Sequence, residues 1–537
     1  MGEEFAQGDE AMKHTLSARA RAGLTIAALL ILIALQLAVI THFAGEKDGF
    51  DIDELWTHGL ANSYGAPFVP YKTGEWMGGS VFTGYLTVGS HAHEYLNVYE
   101  NQIADVHPPL YYLFMHAICS VTKVFSKWNG IALNMACFAA AQLALFALSC
   151  RVLRGKKRGW ETVSPAALGP VAAYGFGAGA ASTVIFIRMY AMMTMWAVLL
   201  ALVLVLLWQE GHRGALLFAL KAVLIFGFLT QYYFVIFACM LCAAYFLACL
   251  FEKRWKQAGG FVLSCLLALA LAVGLFPWCL EHIFGGYRGK GAMEQAAAIT
   301  LGDLTRWANL LVSAMNREQF AGLFALLLAA GALLLSTGLL RKGEMDRFAA
   351  RVSIAGLVAC MAYLTVIAVV SPYKVDRYIF CIYPLVVGAL FAVLVCGLRS
   401  VGMRQGLALA LTACVLLGAD VHTLRSGQVN YLFRGRSEYA RISQEHGSLP
   451  CVLLGSNDIE ENLLELGAYE RVYILGIDAA DQVAPALESH GGYDPAQGFV
   501  LYQRYGDEAA VEQVVRLTGA QQAHKLYSHQ FEVYLIR

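Results

Sequence analysis

Long apolar runs separated by short polar segments occupy the chain from residue 22 to residue 424, and their lengths set the first expectations. Runs of this kind match the ~20 residues a helix needs to cross the hydrocarbon core of a bilayer. Eleven spans are predicted, at 22–44, 130–150, 166–187, 188–208, 214–231, 232–250, 259–280, 319–340, 351–370, 378–398 and 405–424. Two longer runs must be divided, because one helix over 214–250 or 166–208 would be about 55 or 65 Å long at ~1.5 Å per residue, against ~30 Å of hydrocarbon. The divisions fall at Gln231-Tyr232 and at Arg188. The first run follows Lys13, Arg19 and Arg21, exceeds a signal-peptide core and lacks a small-residue cleavage site, so a retained anchor is expected.

Residues 109–126 (PLYYLFMHAICSVTKVFS) are also apolar enough to cross. Charge decides against it. In the eleven-span arrangement the N-terminus and segments 151–160, 209–213, 251–258, 341–351 and 399–404 face the cytoplasm and hold 18 Lys and Arg. A twelfth span at 109–126 would move 15 of the 18 to the other side, against the positive-inside tendency. This stretch is therefore expected to lie in, or re-enter, the outer interface, with a cytoplasmic N-terminus and an extracytoplasmic C-terminus in a multi-pass protein of the cell membrane.

Outside the spans the pattern changes. The divisions are a cytoplasmic 1–21, a membrane domain 22–425 with outer loops 45–129 and 281–318, and an outer domain 426–537. In the last piece, short apolar runs at 450–455, 471–476, 498–504 and 531–537 read as strands, and 457–468 and 507–519 as helices between them. The expected fold class is an all-α polytopic membrane protein with a small C-terminal α/β domain. Composition agrees: 58% of the 537 residues are hydrophobic and 15% charged, which excludes a soluble enzyme. Net charge is zero, so nothing draws the molecule to nucleic acid. Twelve of the 13 cysteines lie in apolar or membrane-apposed stretches, with Cys451 apart, and no disulfide framework can be read from them.

Candidate chemistry gathers outside the membrane. Loop 45–108 carries nine acids against Lys47 and Lys72, and Asp51, Asp53 and Glu54 follow the first span in GFDIDELWTHGLANSYG. There Ile52, Leu55, Trp56 and Leu60 mark an interfacial helix, whose half-desolvated carboxylate suits a general base. The alternative is a solvated loop in which Asp51 or Asp53 caps the helix. In NQIADVHPPLYY two prolines stiffen the backbone beside Asp105 and His107, a pair suited to a phosphate or, more weakly, to a metal ion. Arg188 and Arg377 stand at outer span junctions, where a cation needs water, headgroups or an anionic partner. His91 and His93 project together only from an extended segment, and the Gly-rich GFGAG at 175–179 reads as close helix packing.

Taken in order, Asp53-Glu54, HPPLYY (107–112), Arg-Met-Tyr (188–190), TQYYF (230–234), Pro-Trp (277–278) and Arg-Tyr followed by Tyr-Pro (377–384) resemble the GT-C superfamily of membrane glycosyltransferases. The likeness is nearest to the polyprenyl-phosphate-sugar-dependent branch that holds protein O-mannosyltransferases and lipid A aminoarabinose transferases, and covers about residues 22–400. It implies an inverting transfer from a polyprenyl-phosphate-linked sugar to an acceptor hydroxyl of a lipid, glycan or protein. Asp53 matches the base with Glu54 beside it; His107, Arg188 and Arg377 match donor-phosphate contacts; Asp105, Tyr190 and Tyr232 match substrate contacts. Gln231-Tyr232 departs from the usual His-Tyr, and residues after 425 match nothing. No cofactor is required by the resemblance, and a divalent cation is left open, Asp105 and His107 being its weak candidates. A polytopic lipid or sugar transporter or flippase is the rival reading; it expects related halves and mid-membrane charges, whereas here the acids gather outside.

Overall fold

The computed structural model describes residues 18–154, 159–340, 347–455, 459–491, 493–504 and 506–537. Most of the basic leader, and parts of segments 151–160 and 341–351, lie outside the described residues. The chain forms two compact units. One holds residues up to His42, Asn134–Val184 and Met189–Asn430; the other holds Phe43–Leu133, Ile185–Arg188 and Tyr431–Arg537.

The first unit carries the membrane helices. Among the described residues eight helices are long and apolar enough to cross: Ala18–Gly45, Lys127–Leu153, Tyr190–Glu210, Tyr233–Phe251, Trp255–Leu275, Arg347–Val370, Asp376–Ser400 and Gln405–Arg425. The expected span at 214–231 is an apolar helix of 17 residues, Gly214–Thr230.

The other two expected spans are broken. Pro165–Gly175 and Ala178–Ile185 meet at 65°. The break is satisfied from the side: Gln36 Nε2 donates to the carbonyl of Val171 at 2.9 Å, Gln319 Nε2 to that of Ala173 at 3.1 Å, and Gln142 Nε2 to Gln36 Oε1 at 2.8 Å. Backbone groups inside a membrane protein tolerate such a break only with partners of this kind. A Cβ on Gly177 would fall 2.2 Å from Gln319 Nε2, so the glycines at 175–179 serve close packing, as expected. Leu301–Gln319 and Phe324–Gly338 meet at 89°, which places the start of the span at Phe324 and not at 319. Ala321 and Gly322 both take positive φ there (51° and 89°), and the amide of Phe324 donates to Asn316 Oδ1 at 3.0 Å.

The second unit unites the first loop with the C-terminal residues. Its six strands are β1 Trp76–Met77, β2 Cys451–Leu454, β3 Val472–Leu475, β4 Phe499–Arg504, β5 Ala523–Ser528 and β6 Phe531–Ile536, in the order β1-β3-β2-β4-β6-β5. β2 runs parallel to β3 and β4, while β1, β5 and β6 pair antiparallel. Alternate residues face two cores. Cys451, Leu453, Val500, Tyr502, Val533 and Leu535 pack with Leu55, Val69, Met77, Phe82 and Tyr85 of the first loop. Val452, Leu454, Phe499, Leu501 and Ile536 face helices Val483–Ser489 and Glu508–Thr518 through Val483, Leu487, Val511 and Val514. Burial on both faces is why these strands read as continuous apolar runs. The expected division at 425/426 therefore cuts across a unit: β1, from the first loop, extends the sheet, and loop side chains fill one core.

Helix Leu110–Thr122 is apolar but shorter than the eight candidate spans. Its 13 residues rise only about 20 Å at ~1.5 Å each, and the chain on either side of it meets itself. Phe125, after the helix, packs on Phe50 at 5.0 Å, and Lys127 Nζ donates to the carbonyl of Gly45 at 3.0 Å. The helix occupies most of the stretch 109–126. All 13 cysteines are free thiols.

Candidate active site

Helix Ile52–Asn62 begins with a capping box. Asp51 is the N-cap, its Oδ1 accepting from the amide of Asp53 at 3.0 Å, and Glu54 Oε2 accepts from the amide of Asp51 at 2.8 Å. Such a box satisfies two of the helix's orphan donors at once. The cap is thus Asp51, which leaves Asp53 in the first turn, where the helix dipole favours a carboxylate.

Glu54 is fully buried and already committed. Besides the Asp51 amide, its carboxylate accepts from Lys47 Nζ at 2.9 Å and from the amide of Ile187 at 2.8 Å. Lys47 also donates to the carbonyl of Tyr431 at 2.8 Å and lies over the Phe433 ring. Burial pushes the Glu54 carboxyl up and the Lys47 ammonium down; each partner pulls the other back toward its charged form. Three N–H donors converge on Glu54, so it cements the segment Ile185–Arg188 to the helix. Lys47 figured in the sequence only as a stray base in an acidic loop; its place directly after a span was the available signal.

The Ile187 contact delivers Arg188 beside Asp53. Arg188 Nη1 donates to the carbonyl of Asp53, to Thr57 Oγ1 and to Tyr112 Oη, each at 3.1 Å. Nη2 donates to His107 Nε2 at 3.2 Å and stands 3.8 Å from Asp53 Oδ1. Arg188's side chain is 3% exposed against 20% for Asp53, so the guanidinium is held inside while the carboxylate reaches solvent. His107 Nδ1 donates to Asp105 Oδ2 at 2.8 Å. Asp105 closes helix Tyr95–Ala104, an unfavourable end for an acid by its dipole alone. Burial pushes its carboxyl up, but His107 and Arg188 together hold it below the usual carboxylate range. Pro108 and Pro109 then lead into helix Leu110–Thr122, which contributes Tyr112. Asp53, Arg188, His107 and Asp105 are thus brought together as one chain of contacts, joined by Thr57 and Tyr112, whose roles the sequence reading did not single out.

Arg377, Tyr190 and Tyr232 belong to the membrane unit. Arg377 lies over the Tyr378 ring at 5.6 Å, and the Tyr190 and Tyr233 rings pack on Tyr378 at 6.1 and 5.0 Å. Tyr232 Oη pairs with His282 Nδ1 at 2.9 Å. Among the described residues no three His, Cys, Asp or Glu side chains form a set that could hold a metal ion. Asp105 and His107 bond to each other, and His91 stacks on Tyr64 at 3.7 Å.

No family model matches the chain, and no curated protein matches it in sequence. Solved structures do resemble it. ArnT from Cupriavidus metallidurans bound to undecaprenyl phosphate superposes with a TM-score of 0.53 at 10% identity, over 95% of this chain and 98% of that one. The apo state of the same protein gives 0.51 at 11% identity, over 97% and 98%. At such identity the match concerns the path of the chain, and that path spans both units. This protein is a multi-pass membrane protein with the fold of the GT-C membrane glycosyltransferases.

Proposed function

We propose that the protein is an inverting membrane glycosyltransferase that moves a sugar from a polyprenyl-phosphate-linked donor to an acceptor hydroxyl. The observation that carries this reading is the Asp53–Arg188 pair: a solvent-reaching carboxylate 3.8 Å from a buried guanidinium oriented by His107. The likeness to a structure determined with undecaprenyl phosphate supports the donor class.

In the reaction, Asp53 takes the proton from the acceptor hydroxyl as its oxygen attacks the anomeric carbon. The bond from that carbon to the phosphate oxygen breaks, and the lipid phosphate leaves with the electron pair from the opposite face, so configuration inverts. Arg188 stabilises the negative charge that grows on the departing phosphate. One preorganised contact of this sort supplies ~2.7–4 kcal/mol. His107 and Asp105 fix the guanidinium, and Glu54 fixes the segment that carries it. In this reading the N-terminus is cytoplasmic and residues 426–537 are extracytoplasmic, in a multi-pass protein of the cell membrane. Incubation of purified protein with radiolabelled polyprenyl-phosphate sugars and envelope acceptors tests the reading: transfer by the wild type, lost in Asp53→Asn, is expected. Undiminished transfer by Asp53→Asn would remove Asp53 from the chemistry.

A further inference from the structure

The membrane unit contains a second site-like feature that the proposed chemistry does not use. A cavity of about 710 Å³ lies among the ends of helices Lys127–Leu153, Tyr190–Glu210, Tyr233–Phe251 and Arg347–Val370. It is lined by the far half of Tyr190–Glu210, from Ala201 to Trp208, eleven residues or more from Tyr190. At ~1.5 Å per residue that places it about 17 Å along the helix from the Tyr190 end. Its size is that of a small-molecule site.

The lining is amphipathic along its depth. The floor is apolar, formed by Pro170, Ala201, Leu385 and Ala389, while the charged side chains, Arg347, Arg351 and Glu252, all sit at or near helix ends. Glu252 is already neutralised by Arg254 at 2.8 Å, and Arg254 caps the Trp208 ring at 4.0 Å. Arg347 and Arg351 lie four residues apart on one face, are exposed, and join no ion pair among the described residues. Among the described residues the mouth therefore carries two arginines with no acidic partner above an apolar floor.

Depth narrows the ligand further. Along Arg347–Val370 the lining runs from Arg347 to Gly356, about 14 Å at ~1.5 Å per residue, or half of the ~30 Å hydrocarbon thickness. A chain of one-leaflet length fits it, and a polyprenyl chain much longer than a leaflet does not. We propose that this cavity binds one anionic bilayer phospholipid, its phosphate held by Arg347 and Arg351 and an acyl chain on the floor. Both lipid classes carry the phosphodiester, but the ammonium of a zwitterionic lipid would stand beside the two guanidinium groups, so the anionic lipid is preferred by about tenfold or more. This assignment stands whether or not the chain is a glycosyltransferase.

The test is native mass spectrometry of the delipidated full-length protein with phosphatidylglycerol or phosphatidylethanolamine as the added probe. One phosphatidylglycerol per chain is expected, at least about tenfold tighter than phosphatidylethanolamine. The double variant Arg347→Gln/Arg351→Gln should erase the difference, and Ala248→Trp, which fills the cavity, should abolish both. Equal binding of the two lipids by the wild type would overturn the proposal, as would binding that survives Ala248→Trp. Displacement of phosphatidylglycerol from the wild type by an equimolar polyprenyl phosphate would also overturn it, identifying a different lipid as the occupant. Should Ala248→Trp fail to fold, the exposed arginine pair decides alone.

Discussion

Nε2 of His107 lies 3.2 Å from Nη2 of Arg188, and because a guanidinium only donates, the imidazole must accept there and carry its proton on Nδ1, toward Asp105. The resemblance assigned His107 a contact to the donor phosphate. In this geometry its free lone pair is spent on Arg188, so in the proposed mechanism His107 positions the guanidinium and the phosphate contact is Arg188's. His107→Gln and Arg188→Ala should then be strongly non-additive: with Arg188 already gone, the second change should alter kcat/KM for the donor by less than about threefold. Additive losses would show that His107 reaches the donor itself.

Arg188→Ala is expected to lower turnover of a lipid-phosphate donor by about 30- to 1,000-fold, corresponding to ~2–4 kcal/mol. Arg188→Lys should recover little of it, since one ammonium cannot serve Asp53, Thr57, Tyr112 and His107 from the places the planar fork occupies. Steady-state kinetics on folded, monodisperse protein check this; normal kinetics in either variant would reduce Arg188 to a structural strut.

The three acids at the start of helix Ile52–Asn62 should separate by mechanism. Asp53→Asn removes the proton acceptor and should cost ~10²–10⁴-fold in rate with donor binding retained. Asp51→Asn exchanges one good N-cap for another and should be nearly silent. Glu54→Gln leaves Lys47 buried beside an uncharged amide, so it should act on stability, at ~3–5 kcal/mol, before it acts on catalysis. Rates and thermal midpoints measured together resolve the three, and a catalytic role for Asp51 exceeding that of Asp53 would displace the proposed base by two residues.

His58 gives a pH dependence with a defined sign. It is fully buried between the rings of Phe50 and Phe125, with neither ring nitrogen hydrogen-bonded among the described residues. Burial, aided by Lys47, lowers its pKa from 6.5 to about 3. Between those values the unfolded chain binds the extra proton, so the contribution to stability is complete above pH 6.5 and falls by ~1.4 kcal/mol per unit as the pH drops. Thermal unfolding in detergent at pH 7.5 and 5.0 should show a smaller acid loss for His58→Leu than for the wild type, by about 2 kcal/mol. Equal losses would place the acid sensitivity elsewhere.

Because the chain before and after helix Leu110–Thr122 meets within one unit, thiol-specific labels should find both ends on one side. With reactive thiols removed from the background, Val124→Cys and Ser437→Cys should label together from the outside of intact cells. Protection of the first with labelling of the second would mean that the helix crosses.

Much of this was legible in the sequence, for a physical reason: a bilayer and a two-sided sheet core each impose a one-dimensional rule on the chain. Span lengths follow from hydrocarbon thickness, and CVLL, VYIL, FVLYQR and FEVYLI announce strands buried on both faces. β5, AHKLYS, escaped notice because it is an edge strand with an exposed first half, and β1 because two residues carry no period. The fates of Asp53 and Glu54 could not be read at all. Neighbours in sequence, they leave a helix about 100° apart at 3.6 residues per turn, and only the arrival of Lys47 and the Ile187 amide determines which is sealed in and which reaches solvent. The same holds for Arg188: hydropathy placed it at a junction between apolar runs, but its partners, at positions 53, 57, 107 and 112, come from segments that only folding draws together.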